Sequence, residues 1–219
     1  MIDTSIIVTY WPNFLHGALV TLEIAFIGTL IGISLGTLLG VFQSGQNKFL
    51  RSLVALYVTI LRGTPMLIQI TFAVFVLPQL GITLPEFWAA TIAIGLNSSA
   101  YVSQIIRSGI SSISKGQIEA GKVLGLTHVQ IIRFIILPQA IKAVFPALGS
   151  ELITLVKDSS LASIVGVMEL SKEAWYVRSR TFDALTVYCI IAVIYLLITG
   201  TISFILHRIE KRMNCNASH

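Results

Sequence analysis

The sequence predicts an all-α integral membrane protein, and two features of its composition lead to that fold class. Of its 219 residues, 55% are hydrophobic and only 11% are charged, and the mean hydropathy is +0.85. Soluble domains carry about a quarter charged residues. The apolar residues also form continuous runs near the roughly 20 residues that a helix needs to cross hydrocarbon, whereas a β-barrel would show short alternating segments.

These runs predict five transmembrane helices in a single domain covering residues 1–219. Four runs carry no charged residue: Ile24–Phe42, Met66–Pro85, Phe87–Ile106 and Ala184–Leu206. A fifth run is interrupted by Lys142 and Glu151. With flanking residues included, the predicted spans are about 14–42, 50–79, 86–109, 128–157 and 183–207.

The distribution of lysine and arginine sets the predicted orientation. If the N-terminus is outside and the C-terminus inside, the inner segments carry Lys48, Arg51, Arg107, Lys115, Lys122, Arg133, Arg208, Lys211 and Arg212. The first two outer segments carry no basic residue, and the third, a charged loop predicted at 172–183, offsets its basic residues with acidic ones. This pattern satisfies the positive-inside rule. The net charge of +5 therefore reflects topology, and no nucleic-acid partner is expected.

A stripe of small residues marks the first span. Gly28, Gly32, Gly36 and Gly40 recur at every fourth position. Such a stripe lets another helix approach closely. We expect this packing inside one subunit, with a contact between two subunits as the alternative.

The second span is interrupted by Gly63, Thr64 and Pro65. Proline removes a backbone donor and crowds the preceding turn, so a kinked or split helix is expected. In a bilayer such a break requires protein or a water-filled cavity to satisfy the freed carbonyls. Arg62 is a candidate to hydrogen-bond those carbonyls or to contact the carboxylate of a substrate.

Polar residues in the third span share one helical face, which carries Asn97, Tyr101, Gln104 and Ser108, with Ser98 and Ser99 beside it. Because polar groups are costly in lipid, this face should point inward. It could serve hydrogen bonds between helices or contacts with a solute.

The fourth span carries the acid of greatest interest. Glu151, Thr154 and Asp158 cluster on one face of a regular helix, while Lys142 projects to the opposite side. A charge at that depth costs about 2.5–3.5 kcal/mol unless it faces a partner or a cavity. Glu151 therefore either lines a solute path or pairs with Lys142 or Arg62 from another helix or subunit.

A short helix of soluble character is predicted at about 115–125, on the inner side. Ser114 with Gln117, and Thr127 with Gln130, both fit the capping box, and Gly125 supplies a left-handed stop between them. A second helix should start near His128 and become the fourth span. A charged helix in so apolar a chain predicts a docking surface, with its narrow face inserted into a groove of a partner.

The same segment carries a spaced motif. Glu119-Ala120-Gly121 is followed by three residues and Gly125, and nine residues later by Ile135-Ile136-Leu137-Pro138. This spacing resembles the "EAA" signature of bacterial ABC importer permeases, in which alanine usually stands at the position of Gly121. The runs Arg62–Pro65, Leu137–Lys142, Pro146–Gly149 and Lys157–Ser160 are similar to the polar amino-acid branch of that family.

This resemblance implies the transmembrane domain of a type I ABC importer in the bacterial cytoplasmic (inner) membrane. It implies a second permease subunit, two cytosolic ATP-binding subunits and an extracytoplasmic solute-binding protein as partners. Coupling to the ATP-binding subunit would involve Glu119, Ala120, Gly121, Lys122, Gly125, Leu137 and Pro138. The candidate residues for binding the substrate are Glu151, Asn97, Ser98, Asp158, Tyr101 and Arg62.

One motif could place a nucleotide in this chain instead. Gly116–Lys122 matches the start of a phosphate-binding loop, but Val123 stands where the motif needs Ser or Thr to bind magnesium. This chain is therefore not expected to bind nucleotide, and the resemblance implies that the partner subunit binds ATP and magnesium. No metal site is expected either, because the four histidines lack a suitable spacing.

The predicted substrate is a polar amino acid, and Glu151 favours a cationic one such as arginine, lysine or histidine. Glutamine, glutamate and cystine remain open. An ion-coupled secondary transporter would need a repeated pair of broken helices, and an intramembrane hydrolase would need a nucleophile beside a base. The sequence shows neither pattern.

Overall fold

The protein folds into helices joined by short connections. This structure is a computed structural model that describes residues 3–45 and 47–215, so the ends of the predicted domain lie outside the described residues. The four long helices are α1 (Thr4–Ser44), α4 (Glu86–Ser111), α7 (Leu137–Asp158) and α9 (Ala184–Cys215). The shorter ones are α2 (Lys48–Gly63), α3 (Met66–Phe75), α5 (Lys115–Val123), α6 (His128–Ile131) and α8 (Leu170–Thr181). No strand occurs in these two ranges, as the sequence predicts.

Helix α1 packs along α4 through the stripe of glycines. A Cβ atom on Gly32 would lie 2.6 Å from Oγ of Ser98, and one on Gly36 would lie 2.6 Å from Cβ of Val102. Gly28 and Gly40 face Ile94 and Ile106 in the same way. Both helices thus contribute residues at four-residue spacing, and van der Waals contact at such close approach drives helix association in membranes. The prediction that the stripe packs within one subunit is confirmed.

The chain breaks between α2 and α3, as predicted. The two helices are bent by 98° relative to each other. Thr64 is extended, with φ −116° and ψ 142°, because the ring of the following proline disfavours helical backbone at that position. Pro65 then opens α3.

The predicted inner helix is present as α5, and the next helix starts at His128. Gly125 lies between them with φ +76°, a left-handed conformation that glycine adopts without strain. The capping box of Thr127 and Gln130 is formed. The box predicted at Ser114 is wrong, since the Ser114 side chain makes no capping bond and the side chain of Gln117 instead accepts from Gln139.

A π-helical turn, Ile132–Ile136, joins α6 to α7. The amide of Leu137 donates to the carbonyl of Ile132, five residues back. Pro138 follows at the start of α7. Because proline has no amide proton and its ring crowds the preceding turn, the wider π turn accommodates it without ending the helix. Pro146 lies inside α7.

The charged outer segment at 172–183 is mostly the helix α8, so its prediction as a loop is wrong. Glu169, which caps the start of α8, and Glu173 within it turn inward instead of facing water. Glu169 is fully buried and accepts hydrogen bonds from the amide of Lys172 (2.8 Å) and the hydroxyl of Tyr195 (3.0 Å). Glu173 accepts from Asn13 on α1 (3.0 Å). Burial raises the pKa of Glu169, although hydrogen bonds from the amides of the first turn and from Tyr195 act in the opposite direction.

Over residues 3–45 and 47–215, three helices, or four with the bent pair counted as one span, have the length and composition of a membrane span. Within the described residues, α1, α9 and the helical stretch His128–Val165 are each long and apolar enough to cross a bilayer, and α2 with α3 passes the same test as a bent pair. Helix α4 has 26 residues but carries buried Asn97, Ser98, Ser99 and Ser103 in its middle. The count of five spans therefore stays a prediction.

Candidate functional site

A polar cavity of about 590 Å³ lies where the broken helix meets α4 and α7. Its lining residues come from four helices and the turn at the break: Arg62, Gly63, Thr64, Pro65, Met66, Asn97, Tyr101, Glu151, Thr154, Leu155 and Asp158. Five of the six predicted substrate-binding residues are among them. The break therefore produces the concave surface on which the sequence prediction depends.

Ser98 is the predicted residue that does not line the cavity. Its side chain is buried, and its hydroxyl donates a 2.8 Å hydrogen bond to Oε1 of Glu151. Ser98 therefore orients the carboxylate from behind. Ser98 packs directly against the backbone of α1 at Gly32, with no space for a side chain between them. The packing of α1 therefore fixes the position of Ser98.

The acids of α7 reach the cavity without a basic partner. Glu151 and Asp158 are half-buried, and neither forms an ion pair in the part of the chain that the structure describes. The alternative that Glu151 pairs with Lys142 or Arg62 is thus not realised within one chain. Two carboxylates remain available to a cationic group in the cavity.

The carbonyl of Leu61, which the break frees, is bound by Gln69 and Asn97 and not by Arg62, the partner that the sequence suggested. Pro65 cannot donate to Leu61, and the carbonyl of Leu61 accepts instead from Nε2 of Gln69 (2.7 Å) and Nδ2 of Asn97 (3.1 Å). The Nδ2 of Asn97 also donates to Oε1 of Gln69 (3.0 Å). The interpretation that Arg62 satisfies these carbonyls is wrong, because two neutral amides already do so.

Arg62 is therefore free to face the cavity. Its guanidinium carbon lies 5.0 Å from the centre of the Tyr101 ring, within the range of a cation–π contact. This contact keeps the positive charge beside the cavity without neutralising it.

Sequence reasoning missed Gln69 as part of the site and did not name Thr154 among the candidate binding residues. Gln69 lies on α3 four residues after Pro65, which places it one turn from the break. A glutamine in a predicted span, one turn after a proline, is the signal that could have identified it. Thr154 was noted on the acidic face of α7, and the structure adds it to the lining.

Helix α5 presents most of the signature residues to solvent. Glu119, Ala120 and Lys122 are exposed, and the apolar residues at its end are more so, with Val123 87% and Leu124 79% exposed. A protruding helix with charged and apolar side chains suits docking into a groove.

Gly121, one of the residues predicted to couple α5 to the ATP-binding subunit, faces inward, unlike Glu119, Ala120 and Lys122. It is buried, and a Cβ atom there would lie 2.7 Å from Cδ1 of Ile135 and 3.2 Å from Cγ1 of Ile131. The glycine therefore packs α5 against the helix that follows. An alanine at this position would require the end of the Ile135 side chain to move.

Two features connect α5 to α7. The side chain of Gln139 donates to Oε1 of Gln117 across the turn. Leu137 and Pro138 are exposed at the first turn of α7, directly after the π turn. A displacement of α5 would therefore reach the helix that carries Glu151 and Asp158.

These elements together define a class: a helical membrane permease with a polar cavity at a broken helix and a short, exposed, charged helix, α5. The chain belongs to the family of binding-protein-dependent transport system inner membrane components, which matches residues 28–214.

Relatives and a solved structure agree with this assignment. The glutamine transport system permease protein GlnP of Escherichia coli is 37% identical over 204 residues, which cover 92% of this chain and 93% of that protein. The arginine transport system permease protein ArtQ of Bacillus subtilis is 35% identical, with coverage of 98% and 99%. A chain in the crystal structure of an amino acid ABC transporter with histidines has a TM-score of 0.91 at 37% identity, covering 97% of this chain and 99% of that one.

The protein is accordingly the permease subunit of an amino acid ABC importer, with the transmembrane fold of a type I importer. It is a multi-pass protein of the inner membrane. As in its family, ATP hydrolysis belongs to a separate subunit, and an ATP-binding subunit and a solute-binding protein are its partners.

Proposed function

We propose that the cavity at the broken helix binds a cationic amino acid, such as arginine, lysine or histidine, on its way into the cell. The observation that carries this proposal is the charge of the lining, in which Glu151 and Asp158 lie with a single cation, Arg62. A zwitterion with an extra positive charge complements that arrangement. A neutral amino acid would leave one carboxylate of the cavity without a counter-charge.

The two ends of the substrate have different partners in this proposal. The guanidinium of Arg62, stacked on Tyr101, binds the α-carboxylate, because a planar guanidinium matches the two oxygens of a carboxylate. Glu151 and Asp158 bind the α-ammonium and the cationic side chain. Charge-assisted hydrogen bonds of this kind are roughly twice as strong as neutral ones.

Glutamine is the second candidate substrate. The Escherichia coli relative is a glutamine transport system permease protein, while the Bacillus subtilis relative is an arginine one, at nearly equal identity. The zwitterionic end of glutamine would use the same charged residues. Its side-chain amide would then need a neutral partner such as Thr154 or Asn97. Glutamate and cystine fit the two carboxylates less well.

Helix α5 transmits the movement of the ATP-binding subunit to the transmembrane helices. It docks in a cleft of the ATP-binding subunit through Glu119, Ala120 and Lys122, and the contact of Gln117 with Gln139 passes its movement to α7. Two ATP-binding subunits and a pair of permease subunits, identical or paralogous, form the complex. The N-terminus lies outside, where the solute-binding protein delivers the amino acid, and the C-terminus lies inside.

Uptake competition tests the substrate assignment. Glu151→Gln keeps the size of the side chain and removes its charge, so uptake of arginine should fall about tenfold relative to glutamine, which corresponds to about 1.4 kcal/mol. Glu23→Gln is the matched control, because Glu23 is an exposed acid on α1 away from the cavity lining. An unchanged arginine-to-glutamine ratio in the Glu151 variant would remove the reason to prefer a cationic substrate.

A further inference from the structure

A second cavity, of about 420 Å³, lies at the opposite end of α2 from the break. Its lining residues are Gln43, Lys48, Arg51, Ser52, Ala55 and Arg107. They come from the last turn of α1, the first two turns of α2 and the inner part of α4. Nothing in the transport mechanism above uses this cavity.

The lining is rich in positive charge and holds no acid. The ion pairs among the described residues involve only His16 with Glu173 and His207 with Glu210. The stretches 24–85 and 87–118, which supply the whole lining, contain no Asp or Glu. Three like charges around one cavity repel each other, and an anion between them would remove that repulsion.

Neutral donors add to the cations. Gln43 is buried, and its Oε1 accepts a 2.7 Å hydrogen bond from Nε2 of Gln104. The Nε2 of Gln43 donates to none of the described residues. The hydroxyl of Ser52 also lies at the lining. The cavity therefore offers several donors and few acceptors, which favours a ligand made of oxygen acceptors.

We propose that this cavity binds the phosphodiester group of an anionic phospholipid from the inner leaflet. Arginine guanidinium groups bind phosphate oxygens in bidentate fashion, and basic pockets between helices on the cytoplasmic side are typical binding places for acidic headgroups. The inner-leaflet assignment rests on the orientation given under Proposed function.

The surroundings of the cavity favour a lipid over a free phosphate ion. The chain leaves α1 and enters α2 at this point, so the cavity lies where helices meet the aqueous border of the membrane. Phe42, next to Gln43 in the chain, is 37% exposed, and Phe49, next to Lys48, is 70% exposed. Leu53 is 48% exposed one turn further along α2. A ligand with acyl chains can cover these apolar side chains, and a bare anion cannot.

The bound lipid would connect the helices that frame the substrate cavity. Arg51 is on the helix that carries Arg62, and Arg107 is on the helix that carries Asn97 and Tyr101. A shared headgroup would hold the two helices together at their inner ends. Anionic lipid should therefore stabilise the protein.

The experiment uses the full chain in complex with its ATP-binding subunit, delipidated in detergent. Phosphatidylglycerol, phosphatidylethanolamine and inorganic phosphate are added separately, and native mass spectrometry counts bound lipid while thermal unfolding gives the Tm. We expect phosphatidylglycerol to bind and raise the Tm. The double variant Arg51→Gln with Arg107→Gln should lose at least tenfold in its affinity for that lipid.

Matched variants separate the site from a general effect of charge. Arg208→Gln with Arg212→Gln removes two exposed positive charges of α9, which lie outside the cavity and outside α5, and should leave lipid binding unchanged. Arg51→Lys with Arg107→Lys should retain most of it, which also shows that these positions tolerate substitution.

Several results would overturn the proposal. The first is equal lipid binding by wild type and the Arg51→Gln with Arg107→Gln variant. The second is an equal loss of binding in the Arg208 and Arg212 control. The third is equal stabilisation by inorganic phosphate or phosphatidylethanolamine. Binding that occurs only without the ATP-binding subunit would assign the cavity to a segment of that partner. Because no transport is measured, failure of the substrate proposal leaves this result intact, and accessibility labelling of the termini tests the orientation separately.

Discussion

The hydroxyl of Ser98 on α4 donates a 2.8 Å hydrogen bond to Oε1 of Glu151 on α7. Behind Ser98 lies Gly32 on α1, where a Cβ atom would come within 2.6 Å of the hydroxyl oxygen. The direction of the acidic side chain in the cavity therefore depends on the packing of two helices that do not carry it. Small changes away from the cavity should alter substrate binding through this chain of contacts.

Removal of the Ser98 hydroxyl should weaken substrate binding without unfolding the protein. Ser98→Ala leaves Glu151 without its hydrogen-bond donor, and hydrogen bonds to charged groups contribute about 1.5–3 kcal/mol. The KM of arginine uptake should rise about tenfold or more. Ser103→Ala is the control, because that hydroxyl bonds to the backbone of its own helix. An unaltered KM in Ser98→Ala would show that Glu151 needs no orienting group.

The close approach of α1 to α4 should not tolerate a larger residue. In Gly36→Ala the new methyl would overlap Cβ of Val102 and the carbonyl of Ser99, which lie 2.6 Å and 2.8 Å from it. Overpacking of this kind typically costs about 1–3 kcal/mol, so the Tm of the purified complex should fall. Gly200→Ala places a methyl in open space on α9 and should not lower the Tm. Equal Tm values for the two variants would contradict the packing described.

The break between α2 and α3 should depend on Gln69. Gln69→Leu removes the donor to the carbonyls of Leu61 and Thr64 and the acceptor for Asn97. Each buried polar group left unpaired costs about 1–3 kcal/mol. Both the Tm and the uptake rate should decrease, whereas Gln79→Leu, which loses one exposed bond to its own turn, should change neither. A fully active Gln69→Leu transporter would argue that water can satisfy the break.

The contact between α5 and α7 should couple ATP hydrolysis to transport. Gln139→Ala breaks the bond to Gln117 but leaves the exposed docking residues intact. The ATP-binding subunit should still co-purify, while the number of amino acids imported per ATP hydrolysed should fall several-fold. Ser150→Ala, on the exposed side of α7, serves as the comparison. Normal coupling in Gln139→Ala would mean that α5 moves α7 through the backbone alone.

The buried Glu169 gives a prediction about pH. Its pKa is raised in the folded protein by burial, so the folded state holds this proton more tightly than the unfolded state. Raising the pH from about 4 to 8 should then favour unfolding through this group. The Tm of Glu169→Gln relative to wild type should increase over that range. A difference that stays constant with pH would show that Glu169 ionises alike in both states.

Local signals in the sequence predicted much of the fold. The break at Pro65, the left-handed Gly125, the capping box at Thr127 and the glycine stripe each depend on residues within a few turns. Helix α8 was missed because its acids suggested a solvated loop. Glu169 is buried only through partners on α1 and α9, more than 20 residues away in the chain.

The sequence predicted most of the residues that line the cavity, but it did not predict what each of them does. Helical periodicity placed Asn97, Glu151 and Asp158 on inward faces, and all three line the cavity. It could not show that Gln69 and Asn97 would satisfy the carbonyl of Leu61 and leave Arg62 free, because that choice depends on the 98° bend. Nor could it show Gly121 facing inward, since this follows from how α5 folds back onto Ile131 and Ile135.

Transport by proteoliposomes tests the central claim most directly, namely that this chain provides the path and another subunit provides the energy through α5. Vesicles containing the permease and its ATP-binding subunit, with solute-binding protein and arginine on the outer side, should accumulate arginine only when ATP reaches the other side. Glu119→Lys, which reverses an exposed charge of α5, should abolish accumulation by releasing the ATP-binding subunit. Uphill uptake by the permease alone without nucleotide would contradict the account.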